Sequence, residues 1–445
     1  MALSGLAIYK HLPKENCKEC GLPTCLAFAM KVASGQAGLE ECPRLGDDAR
    51  SALEEASAPP QRLVTIGDGD PAVAIGQETV MFRHDEKFHN PCGIAVRVDD
   101  SGNDSEVDQR LSSIKDLSFE RMGRTMAVDM VAVENSSGDT ARFTETARKA
   151  AALDKSVILI SSDPAALKAA GEAIADARPL LHYSGGADSL DAAIEAAAAL
   201  KLPLGLQSPS LEEIADMAEK AREGGLQEMV ISPGPGKPAE VLEFLTKARR
   251  AALKQKFRPL GYPSMAFAPG EDDAAIVAAC WYVLKYAGIV VIDTVEPAAV
   301  VAILTSRFNV YTDPQKPVQV EAKIYEINEP GAESPLLITT NFALSYYSVE
   351  SEVEASRVPS RILAVDTEGT SVLTAWAADK FNPETINEAL VKSGAGEKVS
   401  HNKCVIPGMV AVISGSLEEE SGWDVEVGPK EAVGIVSYLT SRWKK

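Results

Sequence analysis

Eight short runs of strand-forming residues recur between residues 94 and 293, starting mostly 22–33 residues apart, and this rhythm limits the fold more than any other feature. They are IAVRV (94–98), AVDMVAV (127–133), SVILIS (156–161), LLHYS (180–184), LPLGLQ (202–207), EMVIS (228–232), LGYPSMAF (260–267) and IVVID (289–293). Between them lie Ala/Leu/Glu/Lys-rich segments with helical spacing, such as PAALKAAGEAIADA and LEEIADMAEKAREGG. Strands separated by helix-length crossovers pair in parallel, and helices then cover the sheet. Eight such units predict a (β/α)₈ TIM barrel. A doubly wound open sheet is the rival, because the pattern does not show closure, and the count of eight favours the barrel.

Cysteine carries most of the chemical information. Four of the seven, Cys17, Cys20, Cys25 and Cys42, fall within 26 residues as CKECGLPTC, a sixteen-residue spacer and Cys-Pro. CxxC puts two thiolates on one tight turn, and Gly21-Leu22-Pro23 returns the chain so that Cys25 supplies a third. TCLAFAMKVASG reads as a short amphipathic helix whose exit brings Cys42 to the fourth corner. Four thiolates ending in Cys-Pro suit a 4Fe–4S cluster. A structural Cys₄ zinc site is the other reading, although such sites more often pair two CxxC knuckles and only one is present. Cys92, Cys280 and Cys404 stand alone and read as small buried hydrophobes.

The chain divides into a cluster module (1–58, closing on the helical DDARSALEEASA), a connector (59–92), the barrel (93–315) and a smaller α/β unit (316–445). The connector holds the β-like pieces RLVTIG, AVAIG and TVMF. The last unit contains PLLITTNFALSYYSVE, RILAVDTEGTSVLTAWAADKF and WDVEVGPKEAVGIVSYLTSRW. RILAVD-TEGTS-VLTAWAA has the form strand, glycine turn, helix, with Thr370 and Ser371 where a helix start offers free N–H groups. Such a turn cradles an amide- or phosphate-bearing cofactor, or serves as an ordinary capped βα loop.

Charge and hydropathy exclude two classes of partner. Lys plus Arg number 44 against 64 Asp plus Glu, a net charge of −20, with no basic block to hold nucleic acid or an anionic membrane. The longest apolar stretch, AAIVAACWYVLKYAGIVVI (274–292), contains Lys285, and Gly288 splits it into a buried helix and a buried strand. The first residues show no signal-peptide pattern, so a cytoplasmic protein is expected.

SGGADS (184–189) matches the phosphate-binding signature of ATP pyrophosphatases, some of which carry iron–sulfur clusters. That motif belongs on the first strand of its domain, whereas here it follows the fourth run of a series. PGPGK (233–237) lacks the spacing of a Walker loop. Asn135, Ser162-Asp163, Ser208 and Asp293-Thr294 follow barrel strands but include no His/Glu/Lys set for acid–base work, so a non-catalytic barrel is expected.

The order of a CxxCGxPxC…CP module, a barrel and a small α/β domain closely resembles the large (gamma) subunit of the corrinoid/iron–sulfur protein of the acetyl-CoA pathway. The resemblance is sharpest in GLAIYKHLPKENCKECGLPTCLAFAM, TTNFALSYYSVE and VDTEGTSVLTAWAADKF. It implies a 4Fe–4S cluster on Cys17, Cys20, Cys25 and Cys42, and a Rossmann-like C-terminal domain gripping the lower face of a cobamide. It places that grip near Thr340 and Tyr346, at Thr370, Ser371, Val372 and Leu373, and near Ala432 and Val433. The partners it implies are a small subunit completing a heterodimer, a methyltetrahydrofolate:corrinoid methyltransferase and CO dehydrogenase/acetyl-CoA synthase. The implied role is a methyl carrier in which the cluster restores Co(II) to Co(I). The absence of DxHxxG fits a base-off corrinoid: with no motif histidine to ligate cobalt from below, a base-off cobalt keeps less axial donation and is easier to reduce. A plain electron-transfer protein and the ATP-dependent enzyme are the alternatives.

Overall fold

The computed structural model describes residues 5–33, 37–46, 49, 53, 59–121, 124–315 and 317–443. The helix expected over DDARSALEEASA lies outside them, apart from Ala49 and Leu53. Two compact units emerge: Met1–Leu117 with Val128–Tyr311, and Ser118–Ala127 with Thr312–Lys445.

In the first unit all eight runs become strands. They are β3 (Gly93–Asp99), β6 (Met130–Glu134), β7 (Ser156–Ser161), β8 (Leu180–Tyr183), β9 (Leu204–Gln207), β10 (Met229–Ser232), β11 (Ser264–Ala268) and β12 (Ala287–Ile292). All neighbours pair in parallel and β12 returns to β3, closing the barrel. Alternate side chains fill its interior, among them Ala95, Met130, Ile158, Leu180, Val230 and Met265. Several helices begin on side-chain caps: Asp139, Asp163, Ser210 and Asp272 each accept from backbone N–H groups of the next turn.

The segment expected to be a connector is built into this unit. β1 (Leu63–Ile66) and β2 (Val73–Gly76) form an antiparallel hairpin whose Val64, Ile66 and Ile75 join the barrel's interior core. The hairpin is tied to the strand-entry end: the Ser156 hydroxyl donates to the carbonyls of Ile66 and Pro71, and the Arg62 N–H donates to Gly261 O. Farther along, Glu78 forms a buried ion pair with Arg249 at 3.2 Å, and the Arg249 guanidinium lies over the rings of Phe88 and Tyr286. TVMF, expected as β-like, contributes no strand. At the N-terminus, the helices Gly5–His11 and Cys25–Ala33 pack around Ile8, Leu12, Phe28 and Ala29.

The second unit is a three-layer α/β structure. Its sheet runs β13 (Ile324–Ile327), β15 (Ser360–Val365), β14 (Leu336–Thr340), β16 (Lys403–Ile406), β17 (Asp424–Val427), with β13 antiparallel and the rest parallel. Helices Ala343–Ser356 and Ile435–Ser441 cover one face through Tyr346, Val353, Tyr438 and Leu439. Helices Pro383–Lys392 and Ser414–Ser421 cover the other through Ile386, Leu390 and Leu417. The chain steps from β14 to β15 on one side, then crosses to β16 on the other. That reversal makes a topological switch point at the carboxyl ends of β14 and β16. A short hairpin, β4 (Ser118–Arg121) with β5 (Arg124–Ala127), groups with this unit although it interrupts the barrel sequence.

Candidate cofactor sites

The cysteine loop is shaped by left-handed residues. Asn16, Lys18 and Gly21 have φ of 48°, 66° and 75°, which turn the chain tightly around Cys17 and Cys20. The Asn16 side chain accepts from the Cys25 N–H at 2.8 Å, tying the loop to the helix start where Thr24 Oγ1 accepts from the Ala27 N–H. Arg44, two residues past Cys42, reaches back to Glu19 at 2.6 Å and Glu15 at 3.3 Å. Both carboxylates flank Cys17, so this clamp draws the fourth cysteine toward the CxxC turn. Hydrogen bonding to Arg44 holds the Glu19 carboxyl below its ordinary range.

All four thiols are free, Cys42 is buried, and Cys20 and Cys25 pack on the same apolar cluster. Among the described residues, no three His, Cys, Asp or Glu converge on a point that would hold a single metal ion. A 4Fe–4S cube gives each thiolate a different iron, so its ligands do not need to meet at one point. The donor set fits such a cluster: three unbridged thiols on the loop and the start of its helix, and the fourth, Cys42, just after the Leu39–Glu41 turn, against a hydrophobic floor.

The second unit holds an apolar cavity of about 490 Å³ at the switch point. Thr339 and Ile406 line it from the ends of β14 and β16, and Phe342, Leu344 and Ser345 from the start of the following helix. Ser371, Val372 and Leu373 close one side, and Pro407, Met409, Pro429 and Ala432 the other. Ser371, Val372, Leu373 and Ala432 were expected from the sequence, and the structure brings them together here. Thr370 lies next to the wall, with its hydroxyl donating to Thr367 O at 2.8 Å. Thr340 is wholly buried at the end of β14, and its Oγ1 has no hydrogen-bond partner among the described residues. Val433, next in the chain to Ala432, is exposed.

Tyr346 instead belongs to the core. Its ring packs at a tilt 4.5 Å from the Tyr325 ring and its hydroxyl donates to Glu350 at 2.7 Å, and burial, reinforced by Glu350, pushes its phenol well above the usual range. The helix after the TEGTS turn spans only Val372–Ala377, too short for a helix-end anion site. The turn therefore contributes through its own hydrogen bonds. Phe342 and Leu344 fall within the segment expected around Thr340 and Tyr346, whereas Pro407, Met409 and Pro429 were not anticipated. Their signal is the strand order, since only the β14/β16 crossing places VIPG and VGPK beside TTNF.

The barrel's strand-exit end carries a different set of residues. Arg97 makes a bidentate pair with Asp293 at 2.7 and 2.9 Å and a third bond to Glu134 at 2.7 Å. These groups line a cavity of about 190 Å³ with Ser184, Gln207 and Phe267. His182 is fully buried beside it and bonds Gln207 Oε1 at 3.0 Å. Burial depresses its pKa to about 4, partly opposed by that bond, so the ring is neutral. SGGADS is the loop after β8, where the Tyr183 hydroxyl donates to Gly186 O at 2.7 Å. The motif thus sits inside a closed barrel, not at the first strand of an open sheet, which removes the structural basis of the pyrophosphatase alternative.

The chain is 42% identical over 440 residues to the corrinoid/iron–sulfur protein large subunit of Moorella thermoacetica, covering 98% of each chain. The chain belongs to the corrinoid/iron–sulfur protein large-subunit family. Relatives named acetyl-CoA decarbonylase/synthase complex subunit gamma include those of Methanopyrus kandleri, 34% identical over 98% of this chain and 97% of that one, and Methanothermobacter thermautotrophicus, 33% identical over 99% of both. The family model CdhD, CO dehydrogenase/acetyl-CoA synthase delta subunit, matches residues 63–439, and a model described as a putative Fe-S cluster matches residues 12–44. The first covers the barrel and the second unit, and the other covers the cysteine loop. Among solved structures, dihydropteroate synthase from Thermus thermophilus aligns with 56% of this chain and 100% of that chain at 14% identity, with a TM-score of 0.40.

Proposed function

We propose that this chain is the large subunit of a corrinoid/iron–sulfur methyl carrier of the acetyl-CoA pathway. It works in a heterodimer with a small subunit, between a methyltetrahydrofolate:corrinoid methyltransferase and CO dehydrogenase/acetyl-CoA synthase, in the cytoplasm. The observation that carries the reading is an apolar cavity at the switch point of the second unit, in a chain whose other end bears four free thiols in cluster spacing.

When bound, the corrinoid supplies a cobalt that accepts and releases a methyl group, and the cluster supplies low-potential electrons that return oxidised cobalt to service. Cys17, Cys20, Cys25 and Cys42 would hold the cluster, and Arg44 would keep the last of them near the others. The second unit would form the Rossmann-like corrinoid domain. Leu344, Leu373 and Met409 offer a dry apolar wall to a macrocycle, while Ser345 and Ser371 offer hydroxyls to its peripheral amides. Leu344, Leu373, Met409 and Val433 are exposed around it, a rim suited to burial by the small subunit. Among the described residues, no helix is long and apolar enough to cross a membrane.

The test uses the co-expressed heterodimer carrying Cys42→Ala. Iron content should fall to the background level and reductive reactivation should stop, while cobamide binding persists. Full reactivation without iron would overturn the assigned roles.

A further inference from the structure

Among the described residues of the second unit, Asn341 has the most heavily bonded side chain, and it touches the cavity only through its neighbours. It follows β14 and is 2% exposed. Its Oδ1 accepts from the Thr367 N–H at 3.0 Å, the Gly369 N–H at 3.0 Å and the Thr367 hydroxyl at 3.2 Å. Its Nδ2 donates to Asp366 Oδ1 at 3.1 Å and Gln319 Oε1 at 3.2 Å. Its backbone N–H donates to Val365 O at 2.8 Å, and its carbonyl accepts from the Val320 N–H at 2.9 Å. A single residue thus links the end of β14, the end of β15, the segment before β13 and the 366–371 turn. No hydrophobic or charged side chain of similar size offers both an acceptor and two donors here.

The turn would not hold this shape unaided. Glu368 and Gly369 have φ of 55° and 71°, a left-handed pair that non-glycine residues adopt reluctantly. Thr367 and Thr370 close it from within: the Thr370 hydroxyl donates to Thr367 O at 2.8 Å, and the Thr367 hydroxyl shares its one hydrogen between Thr370 O at 3.0 Å and Asn341 Oδ1. Its far end delivers Ser371, Val372 and Leu373 to the cavity wall.

We propose that Asn341 is the positioning residue that holds the 366–371 turn in its ligand-ready shape, so that the wall formed by Ser371, Val372 and Leu373 is preorganised for the corrinoid. This rests on the reading of the cavity as a corrinoid site. A wall fixed in advance spares the complex the ordering cost that a loose loop would impose on binding.

The test uses the co-expressed heterodimer with cobinamide, a corrinoid without a lower base, as probe. Asn341→Ala should weaken cobinamide roughly tenfold, speed amide hydrogen exchange at Thr367 and Gly369, and shift the visible bands of the bound corrinoid. Asn341→Asp keeps an acceptor for both amides but replaces the donor facing Asp366 Oδ1 and Gln319 Oε1 with an acceptor, so it should recover only part of the affinity and of the band position. Gly369→Ala leaves residue 341 unchanged but disturbs the same turn, because its Cβ at φ 71° would collide with Gln319 Cγ, a partner of Asn341. It keeps the question open to experiment if the alanine variant at 341 does not fold, and should also weaken binding. Unchanged affinity and bands in both Asn341→Ala and Gly369→Ala would overturn the proposal. A wild-type heterodimer that binds no cobinamide would instead overturn the cavity reading beneath it.

Discussion

The barrel and the second unit are both largely parallel α/β structures with their loops gathered at the strand carboxyl ends, yet they finish those ends in opposite ways. The barrel turns its polar groups on one another: Arg97 is held by Asp293 and Glu134, and His182 is neutral and bonded to Gln207. The second unit leaves a cavity of about 490 Å³ walled largely by apolar side chains, and its principal buried polar hub, Asn341, lies behind the wall. Parallel α/β architecture alone therefore does not say where a ligand sits. Open apolar surface does, and among the described residues the switch point of the second unit has it in quantity.

The largest effect should come from filling that surface. Ala432→Trp places an indole in the cavity and should reduce cobamide affinity of the heterodimer by at least roughly a thousandfold, about 4 kcal/mol, with iron content unchanged. Titration followed by the visible spectrum checks this, and retained affinity would move the corrinoid elsewhere.

The next effect belongs to the barrel interior. His182 takes a proton near pH 6.5 when unfolded but only near pH 4 when folded, so the unfolded state binds more protons between those values. Barrel stability should thus decline as pH falls from 6.5 toward 4, by up to about 3 kcal/mol, with no such loss above 6.5. Urea unfolding across that range should show the slope, and His182→Gln should flatten it. A slope that survives the substitution would assign it to another group.

The smallest effect sharpens the contrast at the barrel's exit. Arg97→Met leaves two carboxylates without their shared cation and should cost about 2 kcal/mol of stability, while cobamide and iron contents stay at wild-type values. Loss of cobalt in that variant would mean that the barrel end is not self-contained.

Much of this was legible in the sequence, for identifiable reasons. β-branched runs at regular spacing are local signals, so all eight barrel strands could be read before their closure. The cysteine loop is equally local. The hairpin Ser118–Ala127 escaped notice because SFER and RTMA carry few β-branched residues and little alternation. The role of Leu63–Ile66 and Val73–Gly76 was hidden for another reason: a strand that plugs a barrel looks like any short strand until its neighbours are known. At the cavity, Ser371 and Val372 announced themselves through a glycine turn, whereas Met409 and Pro429 belong to the site only because β16 lies beside β14. Tyr346 sits in the motif TTNFALSYYSVE, but helical phase turns it into the core.

The central claim is that one chain unites a thiolate-bound iron cluster with a corrinoid held in its second unit. The most direct measurement is the metal content of the heterodimer purified anaerobically from cobamide-replete cells. The account predicts about four iron and about one cobalt per heterodimer. Iron at that level with no cobalt would contradict it.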